Sequence, residues 1–141
     1  NGGWDTHVNN FDRLAEKLPG VDNAIAALIT DLESEGLLDS TLVVIATEFG
    51  RTPKINGNNG RDHHPACYSG VLIGGGIKGG MVYGETDKQG NRVKEDKVSI
   101  QDFNATIGRA LGLPVEQEVF SPSGRPFHIA GNGTPIKEVL A

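Results

Sequence analysis

Two short stretches of this chain carry side chains suited to holding a metal ion. Asp5-Thr6-His7 and Arg61-Asp62-His63-His64-Pro65 each set a carboxylate beside an imidazole, and Glu48 adds a carboxylate between them. Imidazole with carboxylate suits Zn, Mn or Fe, while carboxylates also suit Mg and Ca. In extended backbone, residues i and i+2 point the same way, so Asp5 and His7 can reach one ion. Each cluster has an ordinary alternative. Asp5 or Thr6 can cap the helix that follows, and Asp62 can cap an amide in a surface turn with the histidines solvated. Glu48 can simply pair with Arg51. Three of the four histidines lie in Asp-containing clusters on Gly-rich loops, whereas His128, between Phe127 and Ile129, reads as structural. That distribution makes Asp5, His7, Glu48, Asp62 and His63 candidate ligands of a divalent ion, whether Zn, Ca, Mg or Mn, with the ordinary readings still open.

The elements that must position these residues show in the hydrophobic pattern. Phe11, Leu14, Ala15 and Leu18 share one helix face, and Pro19-Gly20 is expected to break that helix. A second stripe follows at Val21, Ala24, Ile25, Leu28, Ile29 and Leu32, closed by Gly36. Thr41 to Thr47 is a β-branched, apolar run of the kind buried on both faces of a parallel sheet, and Glu48 stands at its end. In open α/β sheets that is where ligands gather. A polar loop, Glu48 to Pro65, leads to a second apolar run, Cys67 to Ile73, in which Cys67 reads as a small buried hydrophobe. Met81 to Val98 reads as a hairpin turning at Asp87-Lys88-Gln89-Gly90-Asn91. Ser99 and Asp102 form a capping box for a helix striped by Ile100, Phe103, Ile107, Ala110 and Leu111 and stopped by Gly112 and Pro114. The tail from Val115 shows no firm pattern.

Composition excludes several classes. The chain has 141 residues, 37% hydrophobic and 22% charged, which fits one ordinary globular domain over 1–141. A net charge of -5 argues against nucleic acid and anionic membrane as partners. No apolar run approaches a membrane span. A single cysteine allows no intrachain disulfide. No CxxC pair, Gly-x-Ser-x-Gly elbow or Gly-x4-Gly-Lys-Ser/Thr loop is present. Gly74-Gly75-Gly76-Ile77-Lys78-Gly79-Gly80 lacks the phosphate-loop pattern and reads as a connection. The opening on Asn1-Gly2-Gly3-Trp4 suggests a fragment cut just before a functional loop.

Several motifs in order resemble the domain-of-unknown-function family 1501. They are Asn1-Gly2-Gly3-Trp4-Asp5-Thr6-His7, Leu38-Asp39-Ser40-Thr41-Leu42-Val43-Val44, Glu48-Phe49-Gly50-Arg51-Thr52-Pro53 and Gly60-Arg61-Asp62-His63. The glycine run from Gly74 to Gly80, Gln101-Asp102-Phe103-Asn104-Ala105-Thr106 and Gly124-Arg125-Pro126 complete the set. The resemblance places the chain with the sulfatase-like alkaline phosphatase superfamily. It implies the C-terminal part of a three-layer α/β/α sandwich with a mostly parallel sheet. It also implies a metal-dependent hydrolase acting on a small anionic phosphate or sulfate ester, in an extracytoplasmic setting. Asp5 and His7 look like one ligand pair and His63 like a later ligand. Glu48-Phe49-Gly50 stands where the superfamily has Asp-His-Gly, so a carboxylate is kept but the usual imidazole is Phe49. Arg51 and Arg61 are the expected anion-holding groups. The superfamily's nucleophile lies earlier than these motifs, so the fragment is expected to lack it. The alternative is a non-catalytic binding or assembly protein with one ion or none. Association of copies through an exposed sheet edge is a further expectation.

Overall fold

The computed structural model describes residues 3–141; Asn1 and Gly2, the start of the opening motif, lie outside the described residues. The described residues form two helices, two short 3-10 turns and eight short strands. Helix α1 runs from Asn10 to Ser34 without a break, straight through Pro19. The expected interruption fails because the apolar positions on either side of Pro19 are in phase. Phe11, Leu14, Leu18, Val21, Ile25, Leu28 and Leu32 follow one alternating spacing of three and four, so a single stripe persists. Proline forfeits one backbone hydrogen bond and bends a helix, but it does not end a helix whose face continues. Asn9 occupies the N-cap with a left-handed backbone, φ 50°, so neither Asp5 nor Thr6 caps this helix.

The parallel three-layer sandwich is not what forms. Strand β1 (Leu42–Ile45) pairs antiparallel with β4 (Val71–Gly74), in the register Leu42↔Gly74 through Ile45↔Val71. A parallel pair needs a crossover, usually helical, and the chain between these strands has no helix. It contains only the pair β2 (Gly50–Arg51) and β3 (His63–His64), also antiparallel. Two further antiparallel pairs follow: β5 (Glu85–Thr86) with β6 (Val93–Glu95), and β7 (Glu118–Phe120) with β8 (Pro126–His128). Each sheet has two strands. The first lies across the turn at Asp87, whose Oδ1 accepts the amides of Gln89 and Asn91; the second lies in the tail where the sequence shows no firm pattern. The apolar run at β1 is not buried on both faces either, since Val44 and Ile45 are exposed.

The best-packed region is helix α2, Ile100–Ala110. Its capping box is complete: Ser99 Oγ accepts the Asp102 amide at 3.0 Å, and Asp102 Oδ2 accepts the Ser99 amide at 3.3 Å. At the other end Leu113 N donates to Gly108 O and Gly112 N to Arg109 O, a Schellman closure for which Gly112 adopts φ 75°. Ala105, Thr106 and Gly108 are buried, and a side chain at Gly108 would overlap Val115. Thr106 Oγ1 and Asp102 Oδ1 receive the amides of Ile136 and Thr134, tying the C-terminal segment to the helix. Ser99→Ala is expected to cost about 1 kcal/mol, read as a lower urea midpoint at an unchanged slope.

The glycine run at 74–76 has a packing role. A side chain at Gly74 would overlap the carbonyl of Thr41, and one at Gly76 would press on Ala110. Elsewhere the covering is thin. Among the described residues the fully buried apolar side chains are Ala105 and Val115. The accessible surface is 9668 Å², against roughly 7,000 Å² for a compact monomer of this mass. Much of the α1 stripe contributes to that excess, with Phe11, Leu18, Val21 and Leu28 exposed.

Candidate metal centre

The site begins with how two distant loops are held together. The turn at 56–61 lies against the segment 6–10 through backbone bonds. Asn9 N donates to Asn58 O, Asn10 N to Asn59 O, and Arg61 N to Thr6 O. Gly60 is buried at the closest approach, where any side chain would overlap the carbonyl of His7. Asn56 braces the turn: its Oδ1 accepts the amides of Asn58 and Gly60, and its Nδ2 reaches His7 O at 3.0 Å. Beneath this, Thr6 Oγ1 donates to Asn10 Oδ1 at 2.6 Å in a buried contact. Strand β3 then continues directly from the turn and delivers His63.

The result is a convergence of three side chains. His7 Nε2 lies 3.1 Å from Asp5 Oδ1, His63 Nε2 lies 2.8 Å from the same oxygen, and the two nitrogens are 3.2 Å apart. An ion about 2.1 Å from each atom would see them at roughly right angles, one face of an octahedron. The donor set of one carboxylate and two imidazoles suits a divalent transition metal. Their side chains are 64%, 41% and 45% exposed for Asp5, His7 and His63, so further positions would stay open to water or substrate.

The other expected residues sit around this triangle. Asp62 Oδ1 lies 2.7 Å from His7 Nδ1, on the far side of the ring from the convergence. Glu48 is not in the group; its carboxylate accepts the Thr47 hydroxyl at 3.4 Å. Arg51 threads the loops, with Nη2 donating to Asp5 Oδ1 at 2.6 Å and to Trp4 O at 3.0 Å, and Nη1 to Arg61 O at 3.0 Å. Arg61 Nη1 donates to the carbonyls of Thr52 and Pro53, and its guanidinium lies over the Phe11 ring. These contacts of both arginines are with the protein itself. His64 points away, its Nε2 at 3.0 Å from Asn91 O, and Cys67 Sγ donates to the neighbouring Gly90 O. Trp4 is exposed, with Lys17 Nζ 5.6 Å from its ring centre. Phe49 packs beside His63, with the ring centres 4.1 Å apart.

Asn56 is the residue that sequence reasoning missed. Its signal was only that of a loop, Asn56-Gly57-Asn58-Asn59-Gly60, although asparagine side chains commonly bond to backbone two residues on.

The electrostatics follow the contacts. The hydrogen bond from His63, then that from the Arg51 guanidinium, hold the Asp5 carboxyl at about 2, against an ordinary 3.8. The bond from His7, then that from Asn56, keep Asp62 below its usual range. Between pH 3.8 and about 2, the unfolded chain takes up a proton at Asp5 that the folded chain refuses. Asp5 therefore contributes stability above that window and loses it as pH falls through it. The thermal midpoint of the metal-free wild type is expected to fall faster across the window than that of Asp5→Asn. Parallel curves would show that these bonds do not persist in solution.

The family model described as Protein of unknown function (DUF1501) matches residues 1–140. No curated protein and no solved structure matches the chain. The match extends to the family and not to any superfamily or activity. With nearly its whole length covered, this chain belongs to the DUF1501 family of proteins of unknown function.

Proposed function

We propose that Asp5, His7 and His63 hold a divalent metal ion in a hydrolase acting on an anionic ester. The observation that carries this is the triangle of Asp5 Oδ1, His7 Nε2 and His63 Nε2, with sides of 2.8 to 3.2 Å. The choice of a phosphate or sulfate ester, and with it a sulfatase-like relationship, rests on the motif resemblance alone. When bound, such an ion supplies Lewis-acid stabilisation of charge on the transferred group. The chain's own residues prepare the place. Arg51 restrains Asp5, and Phe49 packs beside the His63 ring. No residue of this chain is assigned as nucleophile.

A second reading, a metal-binding protein without catalysis, is favoured by the arginines. The guanidinium hydrogen bonds of Arg51 and Arg61 go to Asp5 and backbone carbonyls, not to an open anion site of the kind that stabilises a transferred phosphoryl group. One pair of measurements separates the two. Metal content after loading with Zn, Mn, Mg or Ca should reach at least one ion per chain. Release of nitrophenol from nitrophenyl phosphate and sulfate by the full-length protein then decides catalysis. Binding without turnover selects the second reading, and no binding removes both.

A further inference from the structure

We propose that Asp62, held in place by Asn56, is the positioning residue that fixes His7 to present Nε2 toward the ion. The inference rests on the metal reading above and assigns Asp62 a role outside the ligand triangle. A carboxylate can only accept a hydrogen bond, so the 2.7 Å contact with Asp62 Oδ1 places the hydrogen on His7 Nδ1. In the neutral ring Nε2 is then the unprotonated nitrogen, on the side of Asp5 Oδ1 and His63 Nε2 where an ion would sit between the three atoms. Metal-bound histidines commonly donate their other ring N–H to a carboxylate in this manner, which fixes the tautomer and raises the basicity of the ligand.

Asp62 is itself fastened on several sides. Asn56 Nδ2 donates to the same Oδ1 at 3.0 Å while also holding His7 O. The Asp62 amide donates to Thr52 Oγ1 at 3.1 Å, and its carbonyl accepts the Thr52 amide at 2.9 Å. One asparagine thus locks the backbone of His7 and the carboxylate that orients its ring. A second acidic ligand would instead have to turn from these partners and pass round the imidazole.

The test uses the full chain and two variants. In metal-free wild type, nitrogen NMR of the His7 ring at alkaline pH should show the Nδ1–H form. Asp62→Ala should show a mixture with the Nε2–H form, and Asp62→Asn, which keeps an acceptor oxygen, should return to the wild-type pattern. Titration with Zn2+ and Mn2+ should give Asp62→Ala an affinity about 10- to 100-fold weaker, with Asp62→Asn recovering most of it and circular dichroism unchanged in both. An unchanged tautomer or an unchanged affinity in Asp62→Ala overturns the positioning role while leaving the ligand triangle standing. Failure of the wild type itself to bind either ion overturns the metal reading and this role with it.

Discussion

His63→Ala is expected to weaken Zn2+ or Mn2+ binding by more than about a hundredfold, because loss of even an outer partner of a ligand costs 10- to 100-fold. The adjacent variant His64→Ala is expected to bind as the wild type does. Neighbouring residues on a strand face opposite ways: His63 Nε2 turns to Asp5, and His64 Nε2 turns to Asn91 O at 3.0 Å. The pair is therefore an internal control in which similar side chains are removed one position apart. Isothermal titration with each metal reads the result, and the thermal midpoint of the metal-free proteins checks the fold. Equal affinities for the two variants would remove His63 from the site.

Gly60→Ala is expected to cost about 3 kcal/mol, the upper end for forced overpacking. The added methyl would overlap the His7 carbonyl, where backbone leaves little room to yield. To relieve it, the 56–61 turn must lift from the 6–10 segment, and the hydrogen bonds from Asn10 N to Asn59 O and from Arg61 N to Thr6 O must lengthen or break. The ligands are untouched, yet His63 would be carried away from His7, so metal affinity should fall together with stability. Gly57→Ala is the matched control, since a methyl there meets nothing within 4 Å. Urea unfolding of both variants, followed by metal titration, makes the comparison. Equal midpoints would show that the close approach at Gly60 does not hold in solution.

Much of the candidate site is legible in the sequence, and part of the reason is local. Asp5 and His7 are two residues apart, and His63 sits in a compact run with Asp62, so residue type and spacing made them candidates, and the order of the motifs with the family resemblance singled them out. The choice between His63 and His64 was not decided by pattern, because it depends on which face of a two-residue strand turns toward the N-terminal loop. The role of Asp62 was equally hidden: a carboxylate beside a histidine reads as a ligand until the ring's orientation is known. Expectation for Glu48 leaned on the rule that ligands gather at the ends of parallel strands. That rule has no purchase on β1, which pairs antiparallel with β4.

The fold was read less well, for two separate reasons. An apolar run such as Thr41 to Thr47 records only that a strand wants covering, and it is silent on the direction of its neighbour. The absence of a helical pattern between Ile45 and Val71 was the available clue, since a parallel return needs a crossover. At Pro19 the local breaker signal gives way to periodicity, because the spacing of three and four from Phe11 to Leu32 runs through it in phase. Helix α2 was legible in full because its signals are local: a capping box at one end and a glycine closure at the other.

The separation of the two site loops along the chain has an entropic consequence. His7 and His63 are 56 residues apart, and an ion shared between them would act as a reversible cross-link. A permanent link spanning that length removes unfolded-chain entropy worth on the order of 4 kcal/mol. The gain from an ion instead grows with the logarithm of its free concentration. A thinly covered chain with few buried apolar side chains has little stability of its own to spare. For such a molecule, metal supply would set how much of the population is folded as well as whether the site is filled, and a chelator would loosen the whole N-terminal half.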